Sequence, residues 1–377
     1  VPSEGDGRAG RARPSELRSG DAMTNRAGAG MRYERTARSG RLRGSVVVPR
    51  LLARGVLVGA MGLALATAGC VSMPEARTGK AAPAWSPASE DATKAFLKRH
   101  DEISNKARLT RNPDLARAVE SGPLLRASSA AFLIARRLDP KNKKPAKPLT
   151  HDDPQVYLPK FDNYPVWFVA VSQVAQEGRT AVDLVARSSA GSPWKKAQSV
   201  ELDEDAQLPA LAMRDGAAID VSANPGDTLV RPPAKVAIAY AVLLQDGPTA
   251  PQAKVFLPSP DTQRAHQAAQ QNARSKAFSY SQSFDVTSMR ALATKDGGAL
   301  VLFTMAETER LAMRDAATLQ FRKEDAVAAY TGLDKGTAFL RTTWVWQVAA
   351  VVPATGQGDG KVRLLGVTRS LAEANMK

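Results

Sequence analysis

RALATKDGGALVLFTM, residues 290–305, reads as two strands closed by a tight turn. Lys295-Asp296-Gly297-Gly298 carries the turn, because Asp-Gly suits a type I′ hairpin, and apolar arms flank it. Strands are therefore expected over 284–294 and 299–305. Downstream, 342–352 alternates Trp344, Trp346, Val348 and Ala350 with Val345, Gln347, Ala349 and Val351, a further strand. TGQGDG, 355–360, turns the chain back through 361–367. Upstream, 234–244 places Val236, Tyr240 and Leu243 on one helical face, and 261–277 is a polar helix opened by Asp261 and Thr262. Helices followed by a meandering antiparallel sheet make an α+β pattern.

The same order occurs earlier in the chain. Residues 89–109 set Phe96, His100, Ile103 and Ala107 at helical spacing, with Glu90 and Asp91 in the first turn, where negative charge suits the helix dipole. Two shorter helices are expected over 114–120 and 128–138, interrupted by Ser121-Gly122-Pro123. Strands follow over 166–174, 181–187 and 194–202. SANPGDTLVRPP, 222–233, has no periodicity and reads as a linker. The expected organisation is thus a tandem duplication, with one α+β unit over 89–221 and a second over 234–377.

The chain ahead of these units carries an address. Arg32, Arg35, Arg38, Arg41, Arg43, Arg50 and Arg54 form a positive stretch before GVLVGAMGLALATAG, 55–69. That uncharged run is too short to span a bilayer core about 30 Å thick as a stable helix, but it suits a secretory signal. It ends in Thr67-Ala68-Gly69-Cys70, which resembles a lipobox, the site where bacterial signal peptidase cuts between Gly69 and Cys70 after lipid is attached to the thiol. Thr67 departs from the pattern, where an aliphatic residue is usual. The expectation is a lipoprotein signal peptide over 31–69, a flexible tether over 70–88, and a membrane anchor through lipid on Cys70, on the outer face of the cytoplasmic membrane. Residues 1–30 lack periodicity and are expected to be disordered or to precede the true start.

TAGC, the ATKAFLKRH helix and RALATKDGGALVLFTM together resemble an uncharacterised family of actinobacterial lipoproteins. The arrangement over 89–367 is similar to the nuclear transport factor 2-like (cystatin-like) fold. The resemblance implies two cone-like domains, each a helix packed into a curved sheet. It carries no activity and no residue role.

The full chain has a net charge of +15; residues 1–69 hold 12 Arg and 5 acids, +7, leaving 15 − 7 = +8 for the remainder. That balance suits anionic headgroups or wall polymers at least as well as nucleic acid. With Cys70 as the one cysteine, disulfides and thiolate metal sites are excluded. No catalytic motif, metal-ligand spacing or cofactor fingerprint is present, so no cofactor is expected. His100 and Asp183 are the two candidate ligand-binding groups of the first unit, and Asp285 and Glu307 the strand-borne acids of the second. Neither unit is expected to bring two such groups together in a cavity, and His100 is expected to be packed or exposed. His151-Asp152-Asp153 reads as a solvated loop or cap, and His266 as an exposed helix residue. Lys141, Lys143, Lys144 and Lys147 form a basic loop, and Trp344 and Trp346 belong to the sheet core. A non-catalytic envelope protein that displays its domains to a protein, glycan or lipid partner follows, with no role for nucleic acid. The alternatives are an enzyme built on His100 and Asp183 and a transporter's solute-binding lipoprotein.

Overall fold

A computed structural model describes residues 84–175, 178–315 and 317–377. Cys70, the signal segment and residues 1–30 lie outside the described residues. Within them the fold is α+β.

Ser89 starts the first helix, α1 (Glu90–Thr110): its hydroxyl accepts from the Ala92 N–H at 3.2 Å, and Glu90 and Asp91 fill the first turn. The helix ends at Arg111, which adopts left-handed backbone (φ 52). Its buried stripe is Thr93, Leu97, His100 and Ala107, one position round from the expected Phe96 and Ile103. Phe96 packs at the flank, edge-on to Phe168. Two further helices follow, α2 (Pro113–Val119) and α3 (Gly122–Leu138). The expected interruption at Ser121-Gly122-Pro123 is narrower than the sequence suggested. Pro123 sits in the first turn of α3, where its missing N–H would have had no partner.

The first sheet is an antiparallel meander of β1 (His151–Tyr157), β2 (Val166–Val174), β3 (Arg179–Arg187) and β4 (Lys195–Glu201), in that order. Strand β1 overturns the loop expected at His151-Asp152-Asp153. Pro154 and two aspartates are poor strand formers, but β1 is an edge strand, and a bulge between Asp152 and Gln155 accommodates them.

The second half begins with α4 (Pro233–Asp246) and α5 (Pro260–Ala273). Its sheet is again an antiparallel meander: β5 (Phe278–Ala293), β6 (Ala299–Met313), β7 (Phe339–Val352) and β8 (Arg363–Met376), with α6 (Ala326–Thr331) between β6 and β7. These strands run well beyond the expected ends. The extension of β5, FSYSQS, alternates exposed serines with buried Phe278 and half-buried Tyr280 and Gln282 at the sheet edge, and its polar content hides the apolar signal of a core strand. The β5–β6 turn is not type I′, which needs positive φ at both central residues. Among its residues only Gly297 has positive φ (87), and its N–H donates to the Thr294 carbonyl at 3.1 Å.

The two sheets pack back to back. Trp167, Val169, Val182, Leu184 and Val200 of the first share one core with Leu300, Leu302, Ala349 and Leu365 of the second. The outer face of the second sheet packs against α4 through Tyr240, Val301, Phe303 and Val348. At Gly366 the sheets approach so closely that a Cβ would lie 2.3 Å from the Glu201 carbonyl oxygen, so only glycine fits. Residues 211–221 add to the edge of β5 through Leu211–Thr294 and Asp220–Leu292 bridges. Within 222–233, Leu229 is buried and pairs with Ala354.

Candidate functional site

Helices α1–α3 cover the other face of the first sheet, and between them lies a pocket of about 160 Å³. Alternation puts Ala181, Asp183 and Val185 of β3 on this face, level with Ser199 and Glu201 of β4. The α2–α3 corner is tied to β4 by the Ser121 N–H, which donates to the Lys196 carbonyl at 2.9 Å. That tie brings Glu120 beside Lys196. From above, α1 contributes His100, Asp101, Ser104, Asn105 and Arg108 to the lining, and β1 contributes His151.

Asp101 is the organising group. Its carboxylate accepts from His151 Nδ1 at 2.7 Å and the His151 N–H at 2.9 Å, and from His100 Nδ1 at 3.4 Å. Burial opposes its ionised form, but the His100 and His151 donors prevail and hold its carboxyl well below the usual range. His100 and Asp101 thus face one pocket although they are adjacent on a helix. The imidazole lies 6.2 Å from the Phe96 ring, one turn back along α1, while the carboxylate reaches β1. His151, expected in a solvated loop or cap, is bound at both its backbone and its ring.

His100 is only 4% exposed, and burial pushes its imidazole down to about 4, helped by the Lys196 charge. It is therefore neutral at neutral pH. Because ionised Asp101 can only accept, the single ring proton resides on Nδ1, and Nε2 presents a lone pair. Nε2 is buried and has no hydrogen-bond partner. Across the pocket Glu120 is 5% exposed, and burial pushes its carboxyl up to about 7 against the pull of Ser128, Lys196 and Arg108. Its Oε2 is likewise without a partner. His100, expected to be packed or exposed, lines a pocket together with Glu120, and each carries an unpaired buried polar atom; burial moves the Glu120 carboxyl toward neutral pH and the His100 imidazole away from it. Glu120 was missed because it falls at a helix corner, where periodicity assigns no face.

Asp183 does not complete a pair with His100. Its carboxylate is held by Lys196 Nζ and the Ser199 hydroxyl, each at 2.6 Å, and it is not hydrogen-bonded to the imidazole. The Lys196 charge keeps it ionised despite complete burial. It serves as the floor that anchors Lys196. Among the described residues no cluster of His, Cys, Asp and Glu could hold a metal ion.

The second sheet carries a different polar web. Glu307, 1% exposed, accepts from Trp346 Nε1 and Arg369 Nε at 2.7 Å and from Gln282 Nε2 at 2.5 Å. Glu309 accepts from Trp344 Nε1 at 2.8 Å, Arg369 Nη2 at 3.0 Å and the Tyr280 hydroxyl at 2.9 Å. The Arg369 guanidinium lies 3.8 Å from the Trp344 ring centre. Every carboxylate here is saturated, so the web reads as structure. Asp285 is exposed on β5 and takes no part. His266 is buried rather than exposed: Nδ1 donates to the Leu244 carbonyl at 3.1 Å, and Nε2 accepts from Gln270 at 2.9 Å. Lys141, Lys143, Lys144 and Lys147 are exposed in the loop after α3.

Among the described residues no helix is long and apolar enough to cross a membrane. The chain is similar to two uncharacterized lipoproteins of Streptomyces coelicolor. One is 29% identical over 85% of this chain and 93% of its own length, and the other 29% identical over 86% and 97%. An uncharacterized lipoprotein of Streptomyces avermitilis is 27% identical over 84% of this chain and 92% of its own. No solved structure matches this chain. Residues 82–375 match the family described as a domain of unknown function (DUF8094). The match takes in both sheets and every helix of the described residues, and the chain belongs to this family of uncharacterised actinobacterial lipoproteins.

Proposed function

We propose that the chain is anchored on the outer face of the cytoplasmic membrane by lipid on Cys70 and works there by binding, not turnover. The pocket over α1 is the binding site of its first half. One observation carries this reading: His100 Nε2 and Glu120 Oε2 are both buried, unpaired and on one pocket. A buried polar atom without a partner costs about 1–3 kcal/mol, and a ligand that pairs with both recovers that cost. Because Nε2 is a lone pair, the ligand must donate to it. A hydroxyl group, as on an envelope glycan, meets this need and can accept from the Glu120 carboxyl when that is protonated, while a neighbouring hydroxyl of the glycan can donate to it when it is ionised. A second reading as an enzyme has one observation in its favour: Glu120 lies near neutrality opposite a histidine oriented by Asp101. Against it, an imidazole at about 4 is a weak base at neutral pH.

Soluble wall-glycan fragments titrated against the ¹⁵N-labelled protein test the site. The His100 Nε2 resonance is expected to shift in the wild type and in E120Q to a lesser extent. An unmoved resonance across polyols and glycan fragments would sink the binding reading. Turnover of such fragments, lost in both H100A and E120Q, would replace it with the enzyme. The anchor is read separately: C70S should leave the membrane fraction. Equal retention of C70S and wild type, with an unmodified Cys70 thiol, refutes the anchor.

A further inference from the structure

The basic loop, Lys141, Lys143, Lys144 and Lys147, does not project as a free strand of charge. Asp139 collects its start: the carboxylate accepts the Lys143 and Lys144 N–H groups, each at 2.9 Å, and is itself gripped by Arg111. The Asn142 amide donates to the Leu109 carbonyl at 3.1 Å. At the far end Asn105 of α1 brackets Leu149, accepting its N–H at 2.8 Å and donating to its carbonyl at 2.7 Å. The loop is thus pinned along the C-terminal end of α1 and set in shape before any partner arrives.

Two leucines stand out in the same corner. Leu109, whose carbonyl holds Asn142, is 49% exposed, and Leu138, next to Asp139, is 46% exposed. Leu333, also exposed, follows Gly332, which faces the Arg137 guanidinium. Between Arg136 and Lys147 there are six cations (Arg136, Arg137 and the four lysines) and one acid, a net +5. Lysines near helix C-termini complement the helix dipoles, and that alone would explain part of the charge. It does not explain apolar side chains placed in water beside it.

We infer that this corner docks onto the surface of an anionic phospholipid bilayer, with the four lysines at the headgroups and Leu109 and Leu138 entering the interface. A soluble polyanion would satisfy the lysines but offers the leucines nothing. The inference rests on the envelope-lipoprotein reading, and chain length permits it. Fifteen residues separate Cys70 from Trp85, which is bridged to Phe161, so the tether spans up to about 50 Å. Helix α1 is about 30 Å long, so the tether can reach past it and lay its C-terminal end on the membrane. Docking fixes the orientation of the anchored protein.

The single native cysteine allows a direct test. The lipidated mature chain carrying A146C in the loop, or S281C on β5 as a reference, is labelled with an environment-sensitive fluorophore. It is then placed in vesicles containing lipids with a shallow quencher. Quenching is expected at residue 146 but not 281, in phosphatidylglycerol vesicles but not in phosphatidylcholine alone, and it should vanish at high salt. Each lysine near the surface contributes about fivefold in partitioning, so K141Q/K143Q/K144Q/K147Q should reduce the docked population at least tenfold. L109S/L138S should reduce it several-fold without altering the salt dependence. Equal quenching at 146 and 281, or none at either in floated vesicles, overturns the docking while leaving the anchor intact. A chain that fails to float with anionic vesicles overturns both. Binding of a poly(glycerol phosphate) polymer that needs the lysines but is indifferent to the leucines, with no quenching, assigns the corner to a soluble polyanion instead.

Discussion

His100 and Glu120 are buried on one pocket, and burial moves both toward their neutral forms, so they bias stability in opposite directions with pH. His100 falls from its ordinary 6.5 to about 4 on folding. Between those values the unfolded chain binds more protons, so its contribution is present above pH 6.5 and is lost as pH falls toward 4. Glu120 rises from 4.5 to about 7. There the native state binds more protons, so its contribution is present below pH 4.5 and is lost as pH rises through 7. Over pH 4.5–6.5 the two slopes cancel. Removing either unmasks the other: E120Q should become more stable with rising pH across this window, and H100Q less stable, each by up to about 1.4 kcal/mol per pH unit. Denaturant midpoints at half-unit pH intervals check this, and parallel profiles for the two variants would refute it. A second test at this scale concerns Glu307. E307A should destabilise by about 1–3 kcal/mol, because the Trp346 N–H and the Arg369 Nε lose their acceptor while Glu309 still pairs with the guanidinium.

At the scale of elements, most helices and inner strands could be read from the chain because their periodicity survives in it. Strand β2 is apolar on both faces, as a strand between two layers must be, and it lies where VWFVAVSQV predicts. Strand β1 and the outer part of β5 could not be read that way. Both are edge strands paired with one neighbour, and the side chains they turn inward are largely polar (His151, Tyr280, Gln282), so distant hydrogen-bond partners rather than apolar alternation hold them. The contact between the sheets makes a sharp prediction. Gly366→Ala forces a Cβ against the Glu201 carbonyl and should destabilise by about 1–3 kcal/mol, whereas Gly191→Ala, with open space around it, should cost far less. Thermal melts of the two variants compare them directly. Gln198 bridges the same interface by donating to the Phe303 and Val348 carbonyls at 3.2 and 3.0 Å. Replacing it with leucine should destabilise by about 1–3 kcal/mol, since those bonds are lost and a buried side chain is reshaped.

For the whole molecule, the shared core between the sheets couples the two halves. Trp167, Val169 and Leu184 are covered by Leu300, Leu302 and Leu365, so unfolding one half exposes the apolar face of the other. One cooperative transition is expected, with tryptophan fluorescence and far-ultraviolet circular dichroism coinciding. Two resolved transitions would show that the halves are independent. Local signals were sufficient for the α+β class, the order of helices before strands in each half, and the Asp-Gly hairpin. Each depends on residues a few positions apart, where periodicity, turn chemistry and charge act directly. Tertiary structure alone brought Glu120 from a helix corner to His100, fastened Asp101 to His151 across 50 residues, and locked Asp183 onto Lys196. The reason is physical: a side chain's partner, its burial and hence its protonation are set by what packs against it from distant segments. A histidine on a helical face carries no record in its neighbours of whether it will meet a void.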